Sequence, residues 1–224
     1  MDDLDYMSYG TPIRKIIKNI LDKIISLFAL VILSPLFIII AALIKLDSNG
    51  PVFFMQERVG KNGRLFNSIK FRTMICQSIE KGLGLNIKHD DERITKAGKF
   101  LRTWSLDELP QLINVLKGDM SIVGPRPTLP YQVELYNDFQ RKRLLVKPGI
   151  TGWAQVNGRN AISWEQRIKL DVWYVENWSL WLDVKILLKT VTVVIRKEGL
   201  YGEGGVNDDF ISSKKNNPPS VKSA

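Results

Sequence analysis

The chain has 224 residues, 45% of them hydrophobic, enough to bury one sizeable core and carry an extra element. Lysine and arginine number 32 against 23 aspartates and glutamates, a net charge of +9 that suits an anionic membrane surface, nucleic acid or a polyphosphate substrate. A single cysteine, Cys76, and a single histidine, His89, exclude an internal disulfide, the multi-cysteine zinc patterns and any histidine-built metal cluster.

The first ten residues are polar and acidic and lack a signal-peptide layout. Arg14, Lys15, Lys18 and Lys23 then alternate with Ile13, Ile16, Ile17, Ile20 and Leu21, the pattern of a basic amphipathic helix lying on anionic lipid. Residues 24–44 carry no charge and are apolar except for Ser26 and Ser34. At ~1.5 Å per residue this run reaches across a bilayer core of roughly 30 Å. Pro35 sits mid-run, where proline kinks or breaks a helix. Basic residues flank both ends, so the positive-inside rule favours neither orientation. Two seatings follow: a kinked span, or a re-entrant helix broken at Ser34-Pro35 that returns to the leaflet it entered.

After the turn Asp47 to Pro51, residues 52–59 and 64–71 are β-prone runs separated by Gly60-Lys-Asn-Gly63, which predicts a hairpin. Arg58, Lys61, Arg64, Lys70 and Arg72 decorate it, either as a solvated face or as phosphate contacts. Cys76 reads as an inert buried thiol. Residues 76–93 read as a helix or loop containing Gly82 and Gly84, with His89 in the polar run Lys88 to Arg93. A short helix over residues 95–104 carries Lys96, Lys99 and Arg102 three apart.

Next comes Ser105-Leu-Asp-Glu-Leu-Pro-Gln111, two adjacent carboxylates ahead of the apolar spacing Leu109, Leu112, Ile113, Leu116. Ser105 with Glu108 fits a capping box that would start the helix at Leu106, while Pro110 favours a start at Asp107 or Glu108. Either start places Asp107 and Glu108 at a positive helix terminus, which favours ionised carboxylates and attracts phosphate. On the motif alone, helix capping is the simpler account. The helix ends near Lys117-Gly118. Arg126 is then held between Pro125 and Pro127, a stiff loop presenting one guanidinium fork suited to phosphate or carboxylate.

Residues 147–160 are turn-dense, as ligand-binding loops often are. Ser163 with Gln166 forms a second capping box, opening a helix to about Tyr174. Ser179 opens another, with Leu180, Val184, Leu187, Leu188, Val191 and Val194 on one stripe. Trp164, Trp173, Trp178 and Trp181 gather here, which suits core packing or a lipid interface. From Gly202 the composition is that of a disordered tail.

Several motifs, in this order, carry a resemblance: Lys70-Phe-Arg-Thr-Met74, Ser105 to Gln111, Lys117-Gly-Asp-Met-Ser121, Gly124-Pro-Arg-Pro127, Pro148-Gly-Ile-Thr-Gly152 and Gln155-Val-Asn-Gly-Arg-Asn160. Together the chain resembles the bacterial sugar transferase family of monotopic phosphoglycosyl transferases, in its small form, over roughly residues 13–200. The resemblance implies an α+β, mostly helical fold with a re-entrant membrane helix broken at Ser34-Pro35, amphipathic interfacial helices and a small β-hairpin. Residues 1–46 would form the membrane part, 47–201 the catalytic domain and 202–224 the tail.

It also implies transfer of a sugar 1-phosphate from a UDP-sugar to polyprenyl (undecaprenyl) phosphate with release of UMP, on the cytoplasmic face of the bacterial inner membrane. Asp107 would be the nucleophile that forms an aspartyl phosphosugar, and Glu108 a Mg²⁺ ligand. Arg102 and Arg126 would bind substrate phosphates, with Asp171, Lys70 and Arg72 as additional candidates. The expected partners are UDP-sugar, polyprenyl phosphate and membrane lipid, without nucleic acid, and homo-oligomerisation stays open. A rival of another class is a membrane-tethered basic binding protein whose acids only cap a helix. It predicts that Asp107→Ala spares function.

Overall fold

In the computed structural model, which describes residues 11–76, 87–88, 91–200, 202, 206–207 and 210, the basic amphipathic stretch and the apolar run form one helix, α1 (Pro12–Asp47). Pro12 opens it, at a position where the missing N–H removes no helical bond. Its 36 residues reach about 54 Å. Among the described residues it is the one helix long and apolar enough to cross a membrane.

The helix runs on through Ser34 and Pro35, so the expected break there is not an interruption of helical structure. Pro35 has no N–H to give the Val31 carbonyl four residues back. The Ser34 hydroxyl donates to that carbonyl instead, at 2.8 Å. The sequence pair that signals a break thus also repairs it.

Lys18, Asp22, Ser26, Ile40 and Ile44 are the buried residues of α1, two groups at four-residue spacing, one near its start and one near its end. Ile13, Ile17, Ile20, Ile24, Phe28, Val31, Ile32, Ile38 and Ile39 are exposed. The helix therefore lies with one face along the rest of the molecule from near its start to near its end.

Both ends of that face are fastened. Near the start, Lys18 Nζ donates to Asp183 Oδ2 at 2.6 Å, and Asp22 accepts from the Ser121 hydroxyl at 2.7 Å. Near the end, Ile40 and Ile44 pack with Phe71 and Leu101, joined by Leu106 and Leu109. Arg72, a candidate phosphate contact from the sequence, caps α1 instead: its guanidinium donates to the carbonyls of Ser48 at 2.8 Å and of Asn49. A cation there also complements the negative end of the helix dipole.

The predicted hairpin forms from β1 (Phe53–Val59) and β2 (Leu65–Phe71), antiparallel, with Phe53 opposite Phe71 and Val59 opposite Leu65. Its turn is a 3₁₀ turn, Lys61–Gly63, with Asn62 left-handed at φ 55°. Cys76 is exposed rather than buried. His89, with Gly82 and Gly84, lies outside the described residues.

A two-residue strand, β3 (Ile87–Lys88), precedes α2 (Lys96–Thr103), whose N-cap Thr95 accepts from the Gly98 N–H at 3.0 Å. Then follow a 3₁₀ turn (Leu106–Glu108) and α3 (Gln111–Lys117), ended by Gly118 at φ 88°. Asn114 of α3 fastens it to the free edge of β2, accepting from Ile69 N–H at 3.0 Å and donating to Asn67 O at 2.8 Å. Strand β4 (Ser121–Val123) pairs in parallel with β5 (Gly149–Thr151). Between them lie the short helices α4 (Pro130–Glu134) and α5 (Asp138–Arg141).

After a single turn, α6 (Trp153–Val156), the capping box at Ser163 and Gln166 forms and opens α7 (Trp164–Glu176). Ser179 caps α8 (Leu180–Ile195). Val184, Leu188 and Val191 of the expected α8 stripe are exposed, and the buried apolar residues of the helix are others. Leu182, Ile186 and Val193 are buried, while Trp181, Val184, Leu188, Val191 and Ile195 form an exposed apolar line at spacings of three and four. The tryptophans divide likewise: Trp178 is core, Trp181 is 75% exposed.

Part of the stretch expected as tail is packed. Val206–Asn207 forms β6 against Ile87–Lys88, and Phe210 is buried against Tyr136 and Trp164. Beyond residue 201, the expected boundary, the described residues Val206, Asn207 and Phe210 are thus paired or packed.

Candidate active site

The acid pair stands on the 3₁₀ turn between α2 and α3, and its floor is α1, because Leu106 and Leu109 on either side pack on Ile40, Ile44 and Leu101. The predicted capping box at Ser105 and Glu108 does not form. Ser105 is left-handed (φ 55°, ψ 21°), uncommon for a residue with a Cβ. Its hydroxyl accepts from Arg159 Nη2 at 3.0 Å instead of from a helix N–H. Pro110 takes the N-cap position of α3, so the proline removes no helical bond and the acids precede the helix by a turn.

The two carboxylates are in opposite states. Glu108 is buried, and its Oε1 accepts from Lys70 Nζ at 2.7 Å and from Arg126 Nη2 at 2.8 Å. Arg126 Nη1 reaches Oε2 at 3.3 Å. Burial alone would raise the Glu108 pKa, but the charges and hydrogen bonds of Arg126 and Lys70 outweigh it and hold the group well below the usual carboxylate range. Asp107 accepts no hydrogen bond among the described residues. Burial and then the charge of Glu108 push its pKa up, against the pull of Lys70, Arg102 and Arg126. Sequence reasoning expected the helix terminus to favour an ionised Asp107, yet burial and the Glu108 charge disfavour that ion, and α3 begins only after the acid pair.

Lys70, a minor candidate from the sequence, is therefore a central one. Burial lowers its pKa, with Glu108 acting in the other direction. Arg102 is held by its Nε–H donating to the Thr73 hydroxyl at 2.8 Å, and its charge bears on Asp107.

Arg126 is placed by its backbone. Four successive carbonyls of its loop each accept a hydrogen bond: Pro125 O from Gly149 N–H at 2.8 Å, Arg126 O from Arg143 at 3.0 Å, Pro127 O from Arg58 at 3.3 Å and Thr128 O from Val59 N–H at 2.9 Å. Glycine is required beside this loop, since a Cβ on Gly149 would stand 2.1 Å from the Gly124 nitrogen.

Asp171 does not reach the acid pair. It is buried on α7 and paired with Arg143, which also donates to the Tyr136 hydroxyl at 2.7 Å. Burial, with its Oδ1 left without a partner, pushes Asp171 up to about 6 in spite of Arg143. Its connection to the site runs through Arg143 to the Arg126 carbonyl.

Two further arginines face the pair. Arg159, left-handed at φ 54°, has its pKa lowered by burial and by Arg126. Arg58 is lowered to about 10 by burial first and then by Arg126. Arg159 lay within the turn-dense stretch already read as a ligand loop. Arg58 was one of five hairpin cations read as a solvated face or as phosphate contacts, and the return of the Pro125–Thr128 loop onto Val59 distinguishes it.

The site thus gathers five cations, Lys70, Arg58, Arg102, Arg126 and Arg159, around two carboxylates, one clamped and one open. Such a ring of cations complements a polyanion and leaves one carboxylate unclamped beside it. As to a divalent metal, Glu108 Oε2 receives only the 3.3 Å bond and keeps a lone pair. No third Asp, Glu, His or Cys joins the pair among the described residues. That set suits an ion such as Mg²⁺, which keeps several waters and takes substrate oxygens, rather than one needing a full protein cage.

A family model described as "Bacterial sugar transferase" matches residues 13–197. The chain is similar to the uncharacterized sugar transferase EpsL of Bacillus subtilis, 50% identical over 185 residues covering 83% of this chain and 90% of that protein. It is 44% identical over 201 residues to the undecaprenyl-phosphate galactose phosphotransferase of Salmonella typhimurium, covering 84% of this chain and 42% of that one. It is 45% identical over 191 residues to the UDP-N-acetylgalactosamine-undecaprenyl-phosphate N-acetylgalactosaminephosphotransferase of Aeromonas hydrophila, covering 83% of this chain and 45% of that one. The chain spans less than half the length of these last two relatives.

Proposed function

The chain belongs to the bacterial sugar transferase family, and from that premise we propose that it is a phosphoglycosyl transferase moving a sugar 1-phosphate from a UDP-sugar to polyprenyl (undecaprenyl) phosphate. UMP leaves, and the product starts a glycoconjugate. The observation that carries this reading is the open Asp107 carboxylate beside a clamped Glu108, ringed by five cations on a turn floored by the membrane helix. Relatives named as undecaprenyl-phosphate sugar phosphotransferases support the donor and acceptor classes.

The chemistry assigns different work to the two acids. An Asp107 carboxylate oxygen attacks the phosphorus that bears the sugar. The bond from that phosphorus to the bridging oxygen breaks, and its electron pair leaves with UMP. This gives an aspartyl phosphosugar, splitting one transfer into two displacements. A phosphate oxygen of the polyprenyl carrier then attacks the same phosphorus and the Asp107 carboxylate departs. A carboxylate poorly stabilised by its surroundings is the better nucleophile, which favours Asp107 over the doubly clamped Glu108. Arg126, Lys70, Arg102, Arg58 and Arg159 offset the negative charge of the diphosphate and of the transition state. Mg²⁺ belongs to the proposal: Glu108 would hold it, and when bound it would neutralise diphosphate charge.

For the membrane seating, the packing of α1 supports one of the two readings. Lys18 near its start and Ile44 near its end both fasten to the rest of the chain, and a helix fastened at both ends lies beside that body instead of threading the bilayer alone. This supports the re-entrant reading, with both ends on the cytoplasmic side of the bacterial inner membrane and Ser34-Pro35 serving as a bend in a continuous helix instead of a break. The exposed apolar line of α8 suits an interfacial position. Thiol labelling of a cysteine placed near residue 5 tests it, since labelling from the outer side alone would rule it out.

The direct test of the chemistry incubates the protein with a panel of UDP-sugars, undecaprenyl phosphate and Mg²⁺ while following nucleotide release. UMP is expected with the cognate sugar, and intact-mass analysis without the acceptor should find a phosphosugar adduct on Asp107. Release of UDP, or turnover by Asp107→Asn, would refute the reading.

A further inference from the structure

A second cationic site lies apart from the acid pair, between the start of α1, the hairpin turn and the segment leading into β5. It is a cavity of about 50 Å³, and four of its nine lining residues are lysines, Lys15, Lys18, Lys61 and Lys147, while none is acidic. None of the residues around the acid pair lines it.

The lysines come from three separate segments, so the convergence is a product of folding and not of one basic run. Lys18 is neutralised from behind, with Asp183 at 2.6 Å and Asp22 at 3.9 Å. Lys147 differs: its Nζ donates to Asn19 Oδ1 at 3.0 Å, and no carboxylate lies within ion-pair distance of it or of Lys61 among the described residues. Burial lowers the Lys147 pKa. Asp22 and Asp119 act to raise it, and Lys23 and Lys61 to lower it further. Like charges facing a common space repel, and a bound anion reverses that cost.

We infer that this cavity binds a phosphate group through Lys15, Lys61, Lys147 and Asn19. A tetrahedral oxyanion offers acceptors to ammonium groups approaching from three directions, the point-charge contact that lysine makes well. A cavity of about 50 Å³ has room for the phosphate alone, so whatever the phosphate is attached to must extend outward. Ile13, Ile16, Ile17 and Ile20 are exposed on the same stretch of α1, which sets the cavity beside the lipid-facing surface. The phosphate can therefore be free or belong to a phospholipid headgroup. The inference stands independently of the reaction proposed at Asp107.

The test follows thermal unfolding of the full chain in neutral detergent at constant ionic strength. Inorganic phosphate, dihexanoyl phosphatidylglycerol and dihexanoyl phosphatidylcholine are titrated in separate arms. A rise in the midpoint with phosphate and phosphatidylglycerol alike assigns a free-phosphate site, and a rise with phosphatidylglycerol alone assigns a headgroup site. In Lys61→Gln/Lys147→Gln the affinity should fall by about tenfold or more for each lysine lost, while Lys169→Gln, on the exposed face of α7, should bind as the parent does. Lys61→Gln alone, at an exposed turn, serves if the double variant unfolds. No rise in any arm, an unchanged rise in the lysine variants, or phosphatidylcholine matching phosphatidylglycerol would each overturn the inference.

Discussion

Removing the Asp183 carboxylate should loosen α1 from the rest of the molecule, and the structure sets the scale. That buried carboxylate accepts from Lys18 Nζ at 2.6 Å, Tyr174 OH at 2.7 Å and Trp178 Nε1 at 3.1 Å. In Asp183→Leu, Lys18 stays buried with only Asp22, 3.9 Å away, to balance it. Tyr174 retains the Val123 carbonyl at 3.2 Å. Breaking one side of a buried ion pair costs about 3–5 kcal/mol, a large share of the roughly 5–15 kcal/mol that holds a typical domain together. Converting the partner as well, in Lys18→Met/Asp183→Leu, removes the stranded charge and should restore most of the loss. Urea unfolding in micelles, followed by tryptophan fluorescence, measures all three proteins, with Trp178 itself as a reporter. A single variant within about 1 kcal/mol of the parent, or a double variant as unstable as the single, would refute the reasoning.

Arg126→Lys cannot reproduce the two-pronged grip on Glu108, so UMP release should drop on the order of 100-fold. The melting temperature should hardly move, because the Arg126 side chain is 45% exposed; equal activity would remove Arg126 from the mechanism. Asp171 has a folded-state pKa of about 6 against 3.8 for the free group, so the folded protein binds the extra proton between those values. Stability should therefore fall as pH rises from about 4 through about 6, and Asp171→Ala should flatten that slope while costing about 3–5 kcal/mol for the stranded Arg143, both read from denaturant titrations over that range. Gly98→Ala would put a Cβ 2.0 Å from the Thr73 carbonyl oxygen, pushing α2 off the segment that follows β2 and disturbing the Arg102–Thr73 contact. A loss of about 1–3 kcal/mol in stability with a fall in turnover is expected, and a silent substitution would show that the contact relaxes freely.

Much of the architecture was legible because local chemistry governs it. The Asn62-Gly63 turn, the Thr95, Ser163 and Ser179 caps and the Gly118 stop are each settled within a few residues. The misreadings share a different cause. Ser105 satisfied a capping pattern, but Arg159, 54 positions away, takes its hydroxyl. Arg72 and Lys70 are alternate residues at the end of one strand, one serving the C-terminus of α1 and the other Glu108. Nothing local distinguishes them. The apolar stripe of α8 was visible, but the side of it that packs inward depends on where Tyr174 and Val123 stand.

The same long-range logic explains why neighbouring acids differ. Asp107 and Glu108 share a turn, a floor and a helix, so no local property gives one a low pKa and the other a high one. Glu108 points to where the β2 lysine and the proline-held arginine meet, and both satisfy it. Satisfying Glu108 engages the nearest cations, and its own charge then presses on Asp107. The clamp on one carboxylate is thus part of what leaves the other unsatisfied. A diphosphate entering this ring would compete with Glu108 for Arg126 and Lys70, bringing the cations to the phosphorus just where the open carboxylate stands. A turn that kept both acids equally paired would bind substrate less readily and offer it no nucleophile.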